Sequence, residues 1–179
     1  MRGQPPDRQA QRPGRLGRLR VLQEPHRYFW GLRLYVLAAP DGLPVAWCLA
    51  SPKRGEREVL AELLAVERDW LRPGLILIGD KGFAGRDLEH LVRGYGAILL
   101  RPDRADEPRR VGSLGRIRQW IESLFDTLKG QLSLEQHGGR TPAGVYVRVA
   151  QRLLAVAACI WFNWQANAAH KRSLIAYDH

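Results

Sequence analysis

The 179-residue sequence is poor in cysteine, in lysine and in long apolar runs. Its two cysteines, Cys48 and Cys159, are too few for a disulfide framework and lack zinc-site spacing, so we expect a reducing cytoplasm. The longest apolar run, Leu153 to Trp164, is shorter than the roughly 20 residues that span a bilayer. No secretory segment follows Met1. These shortages exclude a secreted disulfide scaffold, and we expect no membrane partner.

Acidic residues are also few relative to basic ones. The chain has 28 Lys+Arg against 18 Asp+Glu, a formal net charge of +10, and arginine supplies most of the cations. A surplus of this size favours a polyanionic partner such as DNA. Half of it, however, lies in residues 1–27, where seven arginines accompany only Asp7 and Glu24. The charge alone therefore favours nucleic-acid binding without establishing it.

Composition divides the chain into three parts. Residues 1–25 are rich in Arg, Pro, Gln and Gly and have no hydrophobic period, which predicts a disordered basic arm. Residues 26–170 carry the apolar patterns of one folded domain, and residues 171–179 form a short tail. With 45% hydrophobic residues, the chain is able to bury a core.

The apolar patterns predict strands and helices in alternation. Tyr28 to Ala39 and Val45 to Ala50 flank the turn sequence Pro40-Asp41-Gly42 and predict a hairpin. Two continuous apolar runs predict strands buried on both faces, Leu75 to Ile78 and Ala97 to Leu100. Helical spacing predicts four helices: Glu56 to Trp70, Asp87 to Tyr95, Leu114 to Leu132 and Pro142 to Ala169. The order ββαβαβ–loop–αα predicts a mixed α/β sheet covered by helices.

Two carboxylates stand out as candidates for chemistry. Asp80 directly follows a predicted strand, where α/β sheets bind ligands, although the sequence Gly79-Asp80-Lys81-Gly82 also suits an ordinary turn. Glu122 lies with Arg118 and Lys129 on the flank of a predicted helix, where an ordinary Arg–Glu pair is the alternative. Brought together, the two carboxylates would suit Mg²⁺ or Mn²⁺. Lys129 would then lie close enough to bind phosphate.

Several segments together resemble the DDE-type transposases of bacterial insertion sequences. They are RYFWGLRLY, the GDKGF block, Arg118-x3-Glu122-x6-Lys129 and LEQHGGRTPAGVYVRVAQRLLA, and they span about Tyr28 to Asn167. The resemblance implies an RNase H-like fold, with Asp80 as the second catalytic Asp and Glu122 as the final acid, both ligating Mg²⁺ or Mn²⁺. It also implies that Arg118, Lys129, Lys81 and Arg140 contact DNA. In the family signature a Tyr precedes the Arg, and here Gly115 replaces it.

The same resemblance implies an incomplete catalytic set. The family's first catalytic Asp lies on a central strand upstream of RYFWG, and only Asp7, in the arginine-rich segment, precedes that motif here. A GC-rich back-translation of Gln11 to Pro25, shifted by one nucleotide, yields a stretch similar to family sequences at this place. We therefore expect residues 1–25 to be out-of-frame translation, the first central strand to be missing, and strand transfer by this chain to be weak or absent.

Three functions follow as hypotheses. The first is a transposase that acts on transposon ends and target DNA, as a homodimer or with a full-length transposase in the bacterial nucleoid. The others are a non-catalytic DNA-binding remnant and a metal-dependent nuclease of the same fold. The segment His137 to Arg140 predicts a turn before a helix capped by Thr141, with DNA contact by Arg140 as the alternative. The aromatic residues Trp161, Phe162 and Trp164 are expected to pack on the sheet. The loop arginines are expected to lie in a solvated loop or to grip phosphates, namely Arg101, Arg104, Arg109 and Arg110.

Overall fold

The computed structural model describes residues 31–103, 105, 107, 108, 112, 114–169, 173 and 174, without the side chains of 115–118. Its strands are β1 (Arg33–Ala38), β2 (Pro44–Ala50), β3 (Ile76–Ile78) and β4 (Ile98–Leu100). Its α-helices are α1 (Glu56–Val66), α2 (Arg86–Gly94), α3 (Gly115–Asp126) and α4 (Pro142–Gln165). The predicted arm, residues 1–25, lies outside the described residues, as does most of the predicted tail. The predicted order ββαβαβ–loop–αα is confirmed for the described part of the chain.

The hairpin forms as its turn sequence predicts. Strands β1 and β2 pair antiparallel, with Tyr35 opposite Cys48 and Val36 opposite Trp47. Asp41 closes the turn because its Oδ1 accepts a hydrogen bond from the backbone N–H of Leu43 at 3.1 Å. This is the turn-forming role that an Asp between Pro and Gly favours.

Strands β3 and β4 form a separate, parallel pair, and helix α2 connects them. Ile76 lies opposite Ile98 and Ile78 opposite Leu100. The backbone N–H of Gly79 donates to the carbonyl of Leu100 at 2.9 Å, which extends the pairing to the residue before Asp80. Among the described residues the strands thus form two two-stranded sheets, one antiparallel and one parallel. The fold is mixed α/β, with helices packed on small sheets.

The prediction that β3 and β4 are buried on both faces is wrong. Leu77 and Leu99 pack into a core cluster with α1 and α2, formed around Leu64 and Val92. Ile76, Ile78 and Ile98 point the other way and are 54%, 42% and 55% exposed. The helices cover one face of this sheet, and no described element covers the isoleucine face. A continuous apolar run does not reveal whether a second layer is present to cover it.

A second core cluster joins the hairpin to the last two helices. Leu124 and Leu128 are fully buried against Val149, Leu153 and Val156 of α4, and Val36 and Trp47 of the hairpin pack on this cluster. Trp47 also stacks on Tyr146, with ring centroids 4.5 Å apart. The predicted core face of the Leu114 to Leu132 helix is therefore confirmed for its described side chains. Ile117, the remaining member of that face, lies outside them.

The Leu114 to Leu132 segment is not one continuous α-helix. Helix α3 ends at Asp126, and Thr127–Gln131 forms a wider π turn, closed by a hydrogen bond from the Leu132 N–H to the Thr127 carbonyl. Arg152 stabilises the end of this turn, because its Nε donates to the Leu132 carbonyl at 2.7 Å. A π turn inserts an extra residue into the helical register, and such turns are frequent at functional sites. Lys129 lies on this turn, so its angular position relative to Glu122 differs from the one that an ideal α-helix predicts.

Helix α4 begins as predicted but leaves its aromatic residues uncovered. The Thr141 hydroxyl accepts a hydrogen bond from the Gly144 N–H at 3.1 Å, which confirms Thr141 as the N-cap. Trp161, Phe162 and Trp164, however, are 62%, 53% and 64% exposed, so the prediction that they pack on the sheet is wrong. The buried residues of α4 are instead Val149, Leu153, Val156, Cys159, Ile160 and Asn163. By length and composition α4 is also able to cross a membrane, a test that the core helix of a soluble protein passes as well.

Candidate active site

Asp80 occupies the position that the sequence predicts, directly after the carboxyl end of β3. It is exposed and precedes a short 3₁₀ turn, Lys81–Phe83. Its Oδ1 accepts a hydrogen bond from the Lys81 N–H at 2.7 Å, and its carbonyl accepts one from Phe83 at 3.1 Å. Asp80 therefore has the turn-forming role that was the alternative to ligand binding.

The turn after Asp80 lies against the first turn of α1, a neighbour that the sequence did not reveal. The Glu56 carboxylate approaches Gly82 so closely that a Cβ there would come within 2.7 Å of Oε2. Arg33 of β1 donates to the other oxygen of Glu56, with Nη1 and Oε1 2.8 Å apart. The start of β1, the start of α1 and the Asp80 turn thus meet at one place. Helical spacing predicts that this helix begins at Glu56, and such spacing says nothing about which turn the helix packs against.

Glu122 lies on α3 with an exposed side chain. Leu124 and Leu128 of the same segment are fully buried, so Glu122 is on the solvent side of a helix whose other face is core. Arg118, four residues earlier, is on the same helix, and its side chain is outside the described ones. The structure therefore leaves the predicted grouping of Arg118 with Glu122 as a prediction.

Lys129 has a partner that the sequence analysis did not consider. Its Nζ lies 3.2 Å from Oε1 of Glu135, and both side chains are more than half exposed. Glu135 belongs to a short 3₁₀ turn, Leu134–Gln136, that follows the π turn. An exposed pair of this kind is weak, at most about 1 kcal/mol, so a phosphate group is able to compete for the lysine.

The segment before α4 is a tight turn that presents Arg140. The His137 Nδ1 accepts a hydrogen bond from the Gly139 N–H at 2.9 Å, and a Cβ on Gly139 would come within 2.7 Å of the Val145 nitrogen. Only glycine fits so close to the first turn of α4. This confirms the prediction of a turn followed by a capped helix. Arg140 is exposed at its end, as is Lys81 in the turn after Asp80.

Arg101 is a structural residue, and the prediction of a solvated or phosphate-gripping side chain is wrong for it; Arg104, Arg109 and Arg110 lie outside the described residues. Its side chain is only 9% exposed and forms ion pairs with Glu89 of α2, at 2.9 Å, and with Glu107, at 2.6 Å. Hydrogen bonds to Glu107 and Glu89 hold the pKa of the guanidinium above its ordinary range. Its donors are committed to two carboxylates, so Arg101 does not belong to the candidate site.

The cysteines are unsuited to nucleophilic chemistry. Burial raises the pKa of the Cys48 thiol to about 11, and the nearby Glu62 carboxylate contributes in the same direction. Burial also raises the pKa of Cys159, whose Sγ accepts from Asn163 Nδ2 at 3.3 Å. Both thiols are therefore neutral near pH 7, and a neutral thiol is a poor nucleophile.

The residues described here form no group of three or more His, Cys, Asp or Glu side chains close enough to hold a metal ion. Any ion at Asp80 would therefore have few ligands from the described residues. Comparison with models of known families, with curated proteins and with solved structures finds no match to this chain.

Proposed function

We propose that this chain is the carboxyl part of an RNase H-like catalytic domain of a DDE-type transposase, and that on its own it binds DNA without strand transfer. The position of Asp80 carries the proposal. Asp80 lies just beyond Gly79 at the carboxyl end of β3, one strand of a parallel pair joined through α2. In α/β sheets, ligands bind in the crevice outside the carboxyl ends of such strands. A carboxylate there suits the hydrated cation that accompanies a phosphodiester.

The order of elements supports the fold part of the proposal. An antiparallel hairpin precedes a parallel βαβ unit, and Leu37 of the hairpin contacts the cluster around Leu64 that also packs on β3 and β4. The two sheets therefore share one helical layer. Insertion of a strand between β1 and β3 would join them into one five-stranded mixed sheet. This is the arrangement that the sequence resemblance implies for a complete domain.

Exposed cations at the positions that the resemblance assigns to DNA contact support DNA as the partner. Lys81 is adjacent to Asp80, and Arg140 lies at the end of an exposed turn. Arg118 and Lys129, from the helix that carries Glu122, complete the proposed phosphate contacts. The bacterial nucleoid, within the cytoplasm, supplies DNA ends and target, and a full-length transposase there is the second proposed partner.

Asp80 and Glu122 are the residues that would hold Mg²⁺ or Mn²⁺, which would polarise the phosphate and activate the attacking oxygen. A two-ion site needs a third acid to bridge the ions. Before RYFWG the sequence has one Asp, Asp7, which lies in the arginine-rich segment and outside the described residues. We therefore expect this chain to bind DNA but not to transfer a DNA strand.

Binding of a labelled duplex by the full chain, followed by fluorescence anisotropy at several salt concentrations, tests the binding part. Loss of one phosphate contact in Arg140→Ala or Lys81→Ala should weaken binding and lower the salt slope by about 1. Arg72→Ala, at an exposed arginine that precedes the amino end of β3 whereas Asp80 and Lys81 follow its carboxyl end, is the matched control and should bind as the unchanged chain does. Absence of salt-dependent binding would overturn the proposal.

Incubation of the chain with supercoiled plasmid and with linear duplexes that carry transposon ends, in Mg²⁺ or Mn²⁺, tests the expectation that it does not transfer DNA strands. We expect no cleavage or joining by the unchanged chain. Nicking that Asp80→Asn and Glu122→Gln both abolish would contradict this expectation and favour the nuclease hypothesis. Joining of DNA ends would show an active transposase.

A further inference from the structure

The exposed face of α4 carries an apolar stripe with the spacing of a helix–helix contact. Val147, Ala150, Leu154, Ala157, Trp161 and Trp164 follow one another at alternating intervals of three and four residues. This is the repeat by which two helices pack together along their length. We call these six residues the α4 seam. It is distinct from the buried stripe of α4, which faces the core.

The seam is too apolar to be an ordinary solvent surface. Val147, Leu154, Trp161 and Trp164 are between 52% and 70% exposed. Residues 153–169 contain no charged side chain, and the seam is flanked by exposed neutral residues, Gln151, Ala158 and Gln165. Proteins that remain monomeric seldom expose large contiguous apolar patches. The absence of cations also makes this face unsuited to DNA.

The sizes of the seam residues point to a second copy of this chain in antiparallel orientation. In an antiparallel pair related by a two-fold axis between residues 155 and 156, Trp164 lies opposite Val147 and Trp161 opposite Ala150. Leu154 then lies opposite Ala157. Every layer combines a large side chain with a smaller one, so that each knob meets a hole. A parallel pair would instead oppose tryptophan with tryptophan and alanine with alanine.

The length of the seam agrees with a modest homodimer interface. From Val147 to Trp164 the helix rises about 26 Å, at about 1.5 Å per residue. Four tryptophans from two copies, with the neighbouring aliphatic groups, would bury on the order of 1,000 Å². This is the lower end of the range for specific interfaces, and a two-fold interface of this kind is closed.

A lipid surface fits the same face less well. Helices that lie in a membrane interface carry many Lys or Arg on their polar face. Helix α4 has Arg148 and Arg152 alone, and Arg152 donates hydrogen bonds to the carbonyls of Leu132 and Arg148. We propose that the α4 seam is a homodimer interface in which two copies of α4 pack antiparallel. This inference does not rest on the proposed function.

Sedimentation equilibrium of the full chain between about 1 and 100 µM tests the proposal. The unchanged chain should dimerise, and Leu154→Glu should raise the dimer Kd at least about tenfold, since it places a charge in the seam. Val66→Glu is the matched control: Val66 is 68% exposed on α1, against 70% for Leu154, and lies outside the seam. A chain that stays monomeric throughout, or a Val66→Glu variant that dissociates as much as Leu154→Glu, would overturn the proposal.

The antiparallel register has its own test. Since residue 154 of one copy lies opposite residue 157 of the other, the double variant Leu154→Glu/Ala157→Lys should recover dimer that each single variant loses. A parallel pair would place like charges together and would recover none. Raised salt should favour the dimer, because two copies each carry a net charge of +10. Sedimentation of monomers with phosphatidylglycerol vesicles, and loss of that binding in Leu154→Glu but not in Val66→Glu, would assign the face to lipid instead.

Discussion

Arginine residues in this chain differ in role according to their carboxylate neighbours. Arg101 follows β4 in a segment of mixed charge, and its sequence neighbourhood predicts a solvated loop. In the fold it reaches back to Glu89, twelve residues earlier on α2, and forward to Glu107. The packing of α2 beside β4 creates this pairing, so the local sequence does not reveal it. Its role is to fasten the loop after β4 to helix α2.

Replacement of Arg101 by alanine should therefore destabilise the fold by about 3 kcal/mol, because two half-buried carboxylates lose their counter-charge. Arg33→Ala, which breaks an ion pair whose partners are both more than 40% exposed, should cost less than about 1 kcal/mol. Urea unfolding followed by circular dichroism measures both values. Equal costs for the two variants would show that the Arg101 ion pairs contribute no more than surface ones.

Asp80 shows how far the sequence defines the candidate site. Its place after a strand follows from the apolar run and the Gly-Asp-Lys-Gly sequence, and the structure confirms that place. The approach of Glu56 to the same turn depends on the angle at which α1 packs on the sheets. No residue pattern in α1 encodes that angle, so Glu56 was missed.

At the scale of elements, the sequence predicts the type and order of the helices and strands better than it predicts which of their faces are buried. The hairpin, the βαβ unit and the capped start of α4 all follow from local signals, namely turn residues, apolar periods and the Thr141 cap. Burial on both faces of β3, and the packing of Trp161 and Trp164, depend on layers formed elsewhere. An apolar residue favours burial, but whether it is buried depends on another element or another molecule that packs on it.

The isoleucine face of β3 and β4 provides a prediction at this scale. The double variant Ile76→Thr/Ile98→Thr keeps β-branched side chains at exposed strand positions and should cost less than about 1 kcal/mol. Leu77→Ala removes a side chain that packs in the cluster around Leu64 and should cost about 2–3 kcal/mol. Denaturant unfolding compares the two. A larger cost for the double threonine variant would indicate that part of the chain beyond the described residues covers this face.

At the scale of the whole molecule, the surplus of positive charge makes acid the main threat to stability. Protonation of carboxylates increases a net charge that is already +10 at pH 7, and self-repulsion grows with it. Specific carboxylates contribute as well. Arg54 holds the pKa of Glu62 below its ordinary value of 4.5 through a direct hydrogen bond.

Because the pKa of Glu62 is lower in the folded chain than in the unfolded one, its contribution is present above about pH 4.5 and is lost as the pH falls through the lowered value. The free energy of unfolding should thus decline less steeply between pH 5 and pH 3 in Glu62→Gln than in the unchanged chain. The side chain is 44% exposed, so the difference should stay below about 1 kcal/mol. Asp69→Asn, at a side chain 97% exposed, is the control for loss of one negative charge. If the free energy of unfolding fell equally steeply with pH in the unchanged chain, Glu62→Gln and Asp69→Asn, the lowered pKa of Glu62 would be contradicted.

The parallel pair β3–β4 has an isoleucine face open to solvent and, among the described residues, no third strand beside it. During refolding, a partly folded second copy of the chain is able to pair or pack with this exposed strand surface. Capture between molecules scales with the square of protein concentration, whereas closure within one molecule does not depend on it. Recovery after dilution from denaturant should therefore decline as the concentration of chains rises, with the losses collecting as β-rich precipitate.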